Sequence, residues 1–475
     1  MHLRRIIVPA TFALSSFACS STSSPGTTGT TGGSDGGASD TSPDQILAAG
    51  GCAAPTGAGT EHSGDISADE TWTAATGPHH VTSALRVLGT LTIEPCATVS
   101  IAAGVSIEIG SSSASGKLVA HGDGSGDSVR SIRFLADGAA PWGQLLVNAK
   151  ASIDLSLSAI VQGGGDVSGE RGALLLLGVA GGTNDGDITR SAALDRVVIE
   201  KSASYGINLD GYATFAASSQ NVWIRSSGST DYPSAVRLEP GIAGTLPRTL
   251  SATGNVRDEI LLSTNKTFMH DDTLPAIGLP FRAHGTLYVN PSADGAAVTL
   301  TVEPGVTLGF DDHAGSGMLV GSTDKRQGIL VAVGTASAPI TFTSGKTQKA
   351  AGDWSNITFR YTGATNHISN ATIAYAGGDS GTNSFGCGPK SNDSAIIVYG
   401  QGAGSAGIGQ FVDHTTFDDI AGTTVIVSGW TDDQGPNLAT ANTFGPATPS
   451  CKVSRPHRTG GGDTCDGGRT TCWSP

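Results

Sequence analysis

The chain is short of charge, of aromatic side chains and of helical periodicity. Charged residues make up 14 % of its 475 positions and aromatics 5 %, against a usual charged share of about 25 %. A globular core of this size leans on Leu and Phe, and that composition is missing. Lys and Arg number 27 against 41 Asp and Glu, a formal charge of −14. No basic run follows the first few residues, so a phosphate-binding face is excluded and with it nucleic acid as a partner. No stretch of twelve or more residues carries a convincing 3.6-residue apolar period, which argues against long helices. What the chain has instead is glycine, 68 residues, about twice the usual share of roughly 7 %. Many tight turns and small stacked side chains fit that balance. At 38 % hydrophobic the chain is too apolar to be wholly disordered.

The amino terminus reads as a processing signal. His2, Arg4 and Arg5 precede an apolar run from Ile6 to Ala18, too short for the ~20 residues of a membrane-spanning helix. The run ends at Ser16-Phe17-Ala18-Cys19, which resembles a bacterial lipobox. The expectation is a signal peptide over 1–19 and lipidation at Cys19; ordinary signal cleavage is the alternative. Residues 20–50 are rich in Ser, Thr and Gly and read as a flexible tether. Ser20 after the cysteine points to the outer membrane or cell surface, with the membrane as partner through the lipid. Six further cysteines, Cys52, Cys96, Cys387, Cys451, Cys465 and Cys472, read as disulfides in an exported protein. Six allow 15 pairings; proximity in sequence favours Cys52–Cys96, Cys387–Cys451 and Cys465–Cys472. Clustered Cys/His spacing for a metal is absent.

Two internal signals set the fold. The first is a duplication in which Gly89–Ile93 matches Gly285–Val289, Val99–Ile107 matches Leu300–Leu308, and Leu118–Gly122 matches Leu330–Gly334. Trp142 matches Trp354, and Leu194–Gly211 matches Val412–Gly429. The body therefore divides into related halves, 51–248 and 249–446, with a cysteine-bearing tail at 447–475. The second is a shorter step. Val197 and Ile199 recur as Val222 and Ile224, and Ile207 and Leu209 as Val236 and Leu238. Each unit is a short alternating strand, a polar turn and another short strand. One unit alone has nowhere to bury its apolar side, so like units stack. The fold class is all-β, a solenoid in which apolar residues sit in register.

Segments such as TLTVEPGVTLGF, GILVAVGTASAPITFTSG, GDWSNITF and ISNATIAYAGG resemble right-handed parallel β-helix (pectin-lyase-like) repeats of bacterial surface lipoproteins, of the build abundant in myxobacteria. The resemblance covers roughly residues 82 to 430. It implies the fold; for activity it leaves lyases, hydrolases, adhesins and plain scaffolds open.

Chemistry is weakly marked. The acid pairs Asp271-Asp272, Asp311-Asp312, Asp418-Asp419 and Asp432-Asp433 have the residue types for acid/base work on a glycosidic bond. The Gly-His-Gly and Arg-x-Lys tripeptides of polygalacturonase-like sets are missing. Arg225 and Arg237 are the central basic candidates for a lyase-like site. Turn aspartates facing water are the alternative for these acids. Trp142 and Trp354 hold equivalent places and read as packing residues; Trp223 is expected to point outward as a ligand contact. No cofactor and no metal site is implied. The leading expectation is a non-catalytic surface scaffold or adhesin, and the other a polysaccharide-binding or polysaccharide-degrading protein. What separates them is whether acids and an arginine from adjacent coils converge in one groove.

Overall fold

The computed structural model describes residues 41–473, apart from 166–168, 180–188, 265–266, 269, 312–314, 362–364, 383–388, 400–410, 430–435, 456, 460–461 and 465–470. Short strands follow one another and nearly all pair in parallel with the strand one coil before and one coil after, as in a parallel β-helix. Cys19, Asp312, Cys387, Asp432, Asp433 and Cys465 lie outside the described residues.

One ladder runs through the whole body. Its inward residues are Leu85, Ile107, Leu145, Leu174, Ile207, Val236, Ile260, Phe281, Leu308, Phe342, Ile373, Phe417 and Phe444, each the direct partner of the next. All but the last are buried. Successive members sit about 4.8 Å apart, and burying each Leu, Ile or Phe side chain contributes roughly 1.5–3 kcal/mol. Val197 stacks on Val222 and Ile199 on Ile224, as their spacing predicted. The ladder crosses from the first sequence half to the second without a break, through strands Ser234–Leu238, Arg257–Leu262 and Phe281–Ala283. The two halves therefore form one coil.

The duplication does not map face onto face. Leu118 stacks over Leu91, whereas its counterpart Leu330 stacks over Leu300, the counterpart of Val99. Strand Gly317–Val320 enters between the matched segments of the second half and shifts the later strands by one face. The coil accepts the shift because each face asks for the same thing, a short alternating strand with its apolar side in. Trp142 and Trp354 thus sit on different faces, yet both are buried and donate Nε1–H to a main-chain oxygen, Val161 O and Ala374 O, each at 2.8 Å.

Corners are turned by single left-handed residues. Leu157, Arg196 and Asn221 (φ 44°, 56° and 52°) occupy one corner of three successive coils, and Gln162, Lys201 and Ser226 (58°, 57° and 49°) another. A side chain there costs on the order of 1 kcal/mol relative to glycine. Lys201 is exposed; Lys201→Gly is expected to raise unfolding free energy in denaturant titration by up to about 1 kcal/mol.

Part of the segment read as a tether is folded. Pro43–Ala48 forms a helix opened by a capping box: Ser42 Oγ accepts from Gln45 N, and Gln45 Oε1 accepts from Ser42 N. Pro43 occupies the first turn, where its missing N–H costs nothing. Ile46 is fully buried against Val129, Leu157, Ala159 and Val198, and its carbonyl accepts from Ser131 Oγ at 2.6 Å. These outward residues of the coil are apolar because the helix covers them. Ile46→Ala is expected to lower stability by about 2–3 kcal/mol, read as a shift in the denaturant midpoint.

Cys52 bonds Cys96, as sequence proximity suggested, but Cys451 bonds Cys472. The pairings Cys387–Cys451 and Cys465–Cys472 are therefore wrong. The cause is the strand Cys451–Arg455, which continues the coil and pairs antiparallel with Thr471–Trp473, bringing Cys472 opposite Ser454.

Candidate functional site

Along each strand alternate residues face in and the ones between face out. On the central ladder the outward line reads Asn208, Arg237, Leu261, Arg282 and Gly309. Arg237 and Arg282 therefore lie two coils apart, about 9.6 Å along the stack. Around them the outer face gathers a belt of charge.

At one end Arg237 Nη1 donates to Asn208 Oδ1 at 2.9 Å and reaches Glu170 at 3.1 Å and Asp210 at 3.4 Å. Tyr205 and Tyr232 meet edge to face at 5.4 Å, with the Arg171 guanidinium over Tyr232. Burial raises the Tyr205 hydroxyl above its ordinary pKa, and Arg237 opposes the rise.

At the other end the arrangement is tighter. A bulge between Ser234 and Val236 turns Glu259 toward Ser234, whose Oγ donates to Glu259 Oε1 at 2.8 Å. Arg282 Nε donates to the same carboxylate at 2.6 Å, Nη2 donates to Ser234 Oγ, and Nη1 donates to Asp311 Oδ2. His284 Nδ1 lies 2.8 Å from Asp311 Oδ2 and is itself exposed. Burial works against the Arg282 charge, but Glu259 and Asp311 outweigh it and hold the guanidinium above its ordinary pKa. Gly309 and Gly345 leave the room this network needs; a Cβ at Gly345 would stand 2.6 Å from Asp311 Oδ1.

The residues singled out in the sequence scatter. Asp311 joins the belt, engaged by Arg282 and His284. Asp418 accepts from the amide of Asp419, which turns a corner at φ 49°, so this pair serves a turn. Asp271 ties two coils through Thr299 N, while Asp272 is buried. Arg237 belongs to the belt, but Arg225 is held by Glu200 and by Asp44 of the helix. Trp223 does face outward, yet it packs half-buried against the apolar cluster under that helix, so its role is packing. Arg282 and Glu259 were missed. Their signal is present, Arg282 lying between inward Phe281 and Ala283, but it is readable only once the register is known.

A scan against family models, a search of curated proteins and a search of solved structures each give no match.

Proposed function

We propose that this protein is a lipid-anchored, surface-exposed β-helix of pectin-lyase-like build that acts as a scaffold or adhesin and does not turn over what it holds. The belt on the central ladder carries this reading. Its carboxylates and arginines engage one another, Arg282 with Glu259 and Asp311 and Arg237 with Glu170 and Asp210. Carboxylates engaged by guanidinium groups of neighbouring coils serve as ties within the coil, whereas a general acid or base must be placed to exchange its proton with a substrate. The Cys19 lipobox and the tether after it support the anchor. Fractionation of cells carrying Cys19→Ser tests it: the variant should move from the membrane to the soluble fraction, and unchanged membrane association would refute anchoring at Cys19.

A second reading has an observation in its favour, because acids and arginines from adjacent coils do converge on one face. It makes the belt a polysaccharide lyase or hydrolase site. An unsaturated-uronide and reducing-sugar assay over a polysaccharide panel separates the two. No turnover is expected; turnover abolished by Asp311→Asn would establish the enzyme.

A further inference from the structure

A different face of the coil carries a groove of about 510 Å³ with Tyr288, Leu319, Asn356, Thr358, Arg360 and Tyr399 on its walls. The register explains it. Tyr288, Leu319 and Thr358 are direct partners on the outward side of three successive strands. Arg360 lies two residues beyond Thr358 and Tyr399 two beyond Ile397, so both fall on the same outward side.

The groove holds a guanidinium and hydroxyl groups but no carboxylate. The Arg360 guanidinium lies 5.2 Å from the Tyr399 ring and 5.2 Å from the Tyr361 ring. Its Nε is buried with no hydrogen-bond partner, and among the described residues no carboxylate pairs with it. Asn356 is 93 % buried (7 % exposed), and its Oδ1 accepts from Thr358 Oγ1 at 2.7 Å, which leaves the amide N–H groups as the donors this side chain can offer to a ligand. No Asp or Glu is among the lining residues, in a chain with 41 of them. Four arginines elsewhere are answered by acids, Arg86 by Glu108, Arg130 by Asp123, Arg248 by Glu303 and Arg326 by Asp294, whereas Arg133, whose Nε is also buried without a partner, donates to Thr98 Oγ1 and lies outside this groove.

We infer that this groove binds a small organic anion, a ring carrying one carboxylate, sulfate or phosphate group, with the oxyanion on Arg360 and Asn356 and the ring against the tyrosine faces. A guanidinium offers two parallel N–H bonds to such an oxyanion, aromatic walls suit a ring, and the absence of acids removes repulsion. The site does not depend on the belt or on the lipid anchor.

Isothermal titration of the full chain tests this with four probes: 4-nitrophenyl phosphate, 4-nitrophenyl sulfate, 4-nitrobenzoate and the neutral 4-nitrophenyl β-glucoside, with inorganic phosphate as the ringless control. At least one ring-bearing anion should bind ten times more tightly than both the neutral ring and inorganic phosphate, and which one binds names the oxyanion. Arg360→Gln should weaken it tenfold or more at an unchanged thermal midpoint, and Arg360→Lys, which keeps the charge and loses the fork, should fall between. Failure of all three anions, equal binding of the neutral ring, or undiminished binding by a folded Arg360→Gln would each overturn the site. Should the glutamine variant misfold, binding by the lysine variant equal to wild type would overturn it.

Discussion

Replacing Arg282 with methionine is expected to lower the unfolding free energy by about 3–5 kcal/mol, the usual cost of stripping a buried charge of its partner. Methionine fills much of the volume, so the loss is electrostatic rather than a cavity. Arg282 is 8 % exposed and Glu259 8 %, which leaves little water to replace the guanidinium. Glu259 would retain only Ser234 and the more distant Arg257, at 3.7 Å. The check is a denaturant titration of Arg282→Met alone and with Glu259→Gln. The double variant should recover at least 1 kcal/mol of the loss, since an amide can be buried with its hydroxyl partner at about a normal hydrogen-bond cost. An additive result would mean that the two side chains are not coupled.

The second large effect centres on Asp272. Its position in the strand Asp272–Leu274 stacks on inward Leu300, a place where the pattern elsewhere sets an aliphatic residue. The carboxylate accepts from Gly241 N at 3.1 Å, Ala243 N at 3.0 Å and Gly244 N at 2.8 Å. It thereby satisfies the main chain of the turn that precedes the junction between the sequence halves. Asp272→Ala leaves those three donors without an acceptor, at about 1–3 kcal/mol for each that water does not reach, so a loss of about 3–5 kcal/mol is expected. A loss below 1 kcal/mol would show that the turn does not depend on the side chain.

The same residue gives a pH signature. Burial pushes the Asp272 pKa up from 3.8 to about 6, with the backbone N–H groups pulling the other way. The folded state therefore takes up the proton before the unfolded state does. Its stabilising share is complete below the ordinary value of 3.8 and is lost as pH rises through about 6. Asp272→Asn removes that titration. Between pH 4 and pH 7 the stability difference should move in favour of the asparagine variant. A difference that stays constant over the window would mean that Asp272 is ionised throughout.

At the amino-terminal end of the coil His62 and His79 share a hydrogen bond of 2.9 Å, flanked by the Trp72 ring. Burial lowers both pKa values. The stability they contribute is present above the ordinary 6.5 and is lost as pH falls through the lowered values. Acid and base thus act in opposite directions on the two groups, and His62→Phe should reduce the loss on the acid side.

The coil was legible in the sequence because stacking like on like repeats the same apolar types. The steps from Val197 to Val222 and from Ile207 to Val236 are direct ladder pairs. The helix Pro43–Ala48 carries the Ser42-Pro43-x-Gln45 signature of a capping box, but after a low-complexity tract that segment read as part of the tether. Two things were not legible. One was the phase of the second half, because faces with the same demand leave no mark where strand Gly317–Val320 is added. The other was the set of side chains that meet outside.

By itself the sequence determined that short strands stack in register and that the inward positions are apolar, because burial follows local alternation and needs no knowledge of neighbours. Only the tertiary structure decided which outward residues face one another. Loops of different length separate successive coils, so Arg282 and Glu259, or Arg360 and Tyr399, become neighbours through a register that no local pattern records. It also decided that Asp272 lies inside, since the three amides that hold it come from the turn at 241–244.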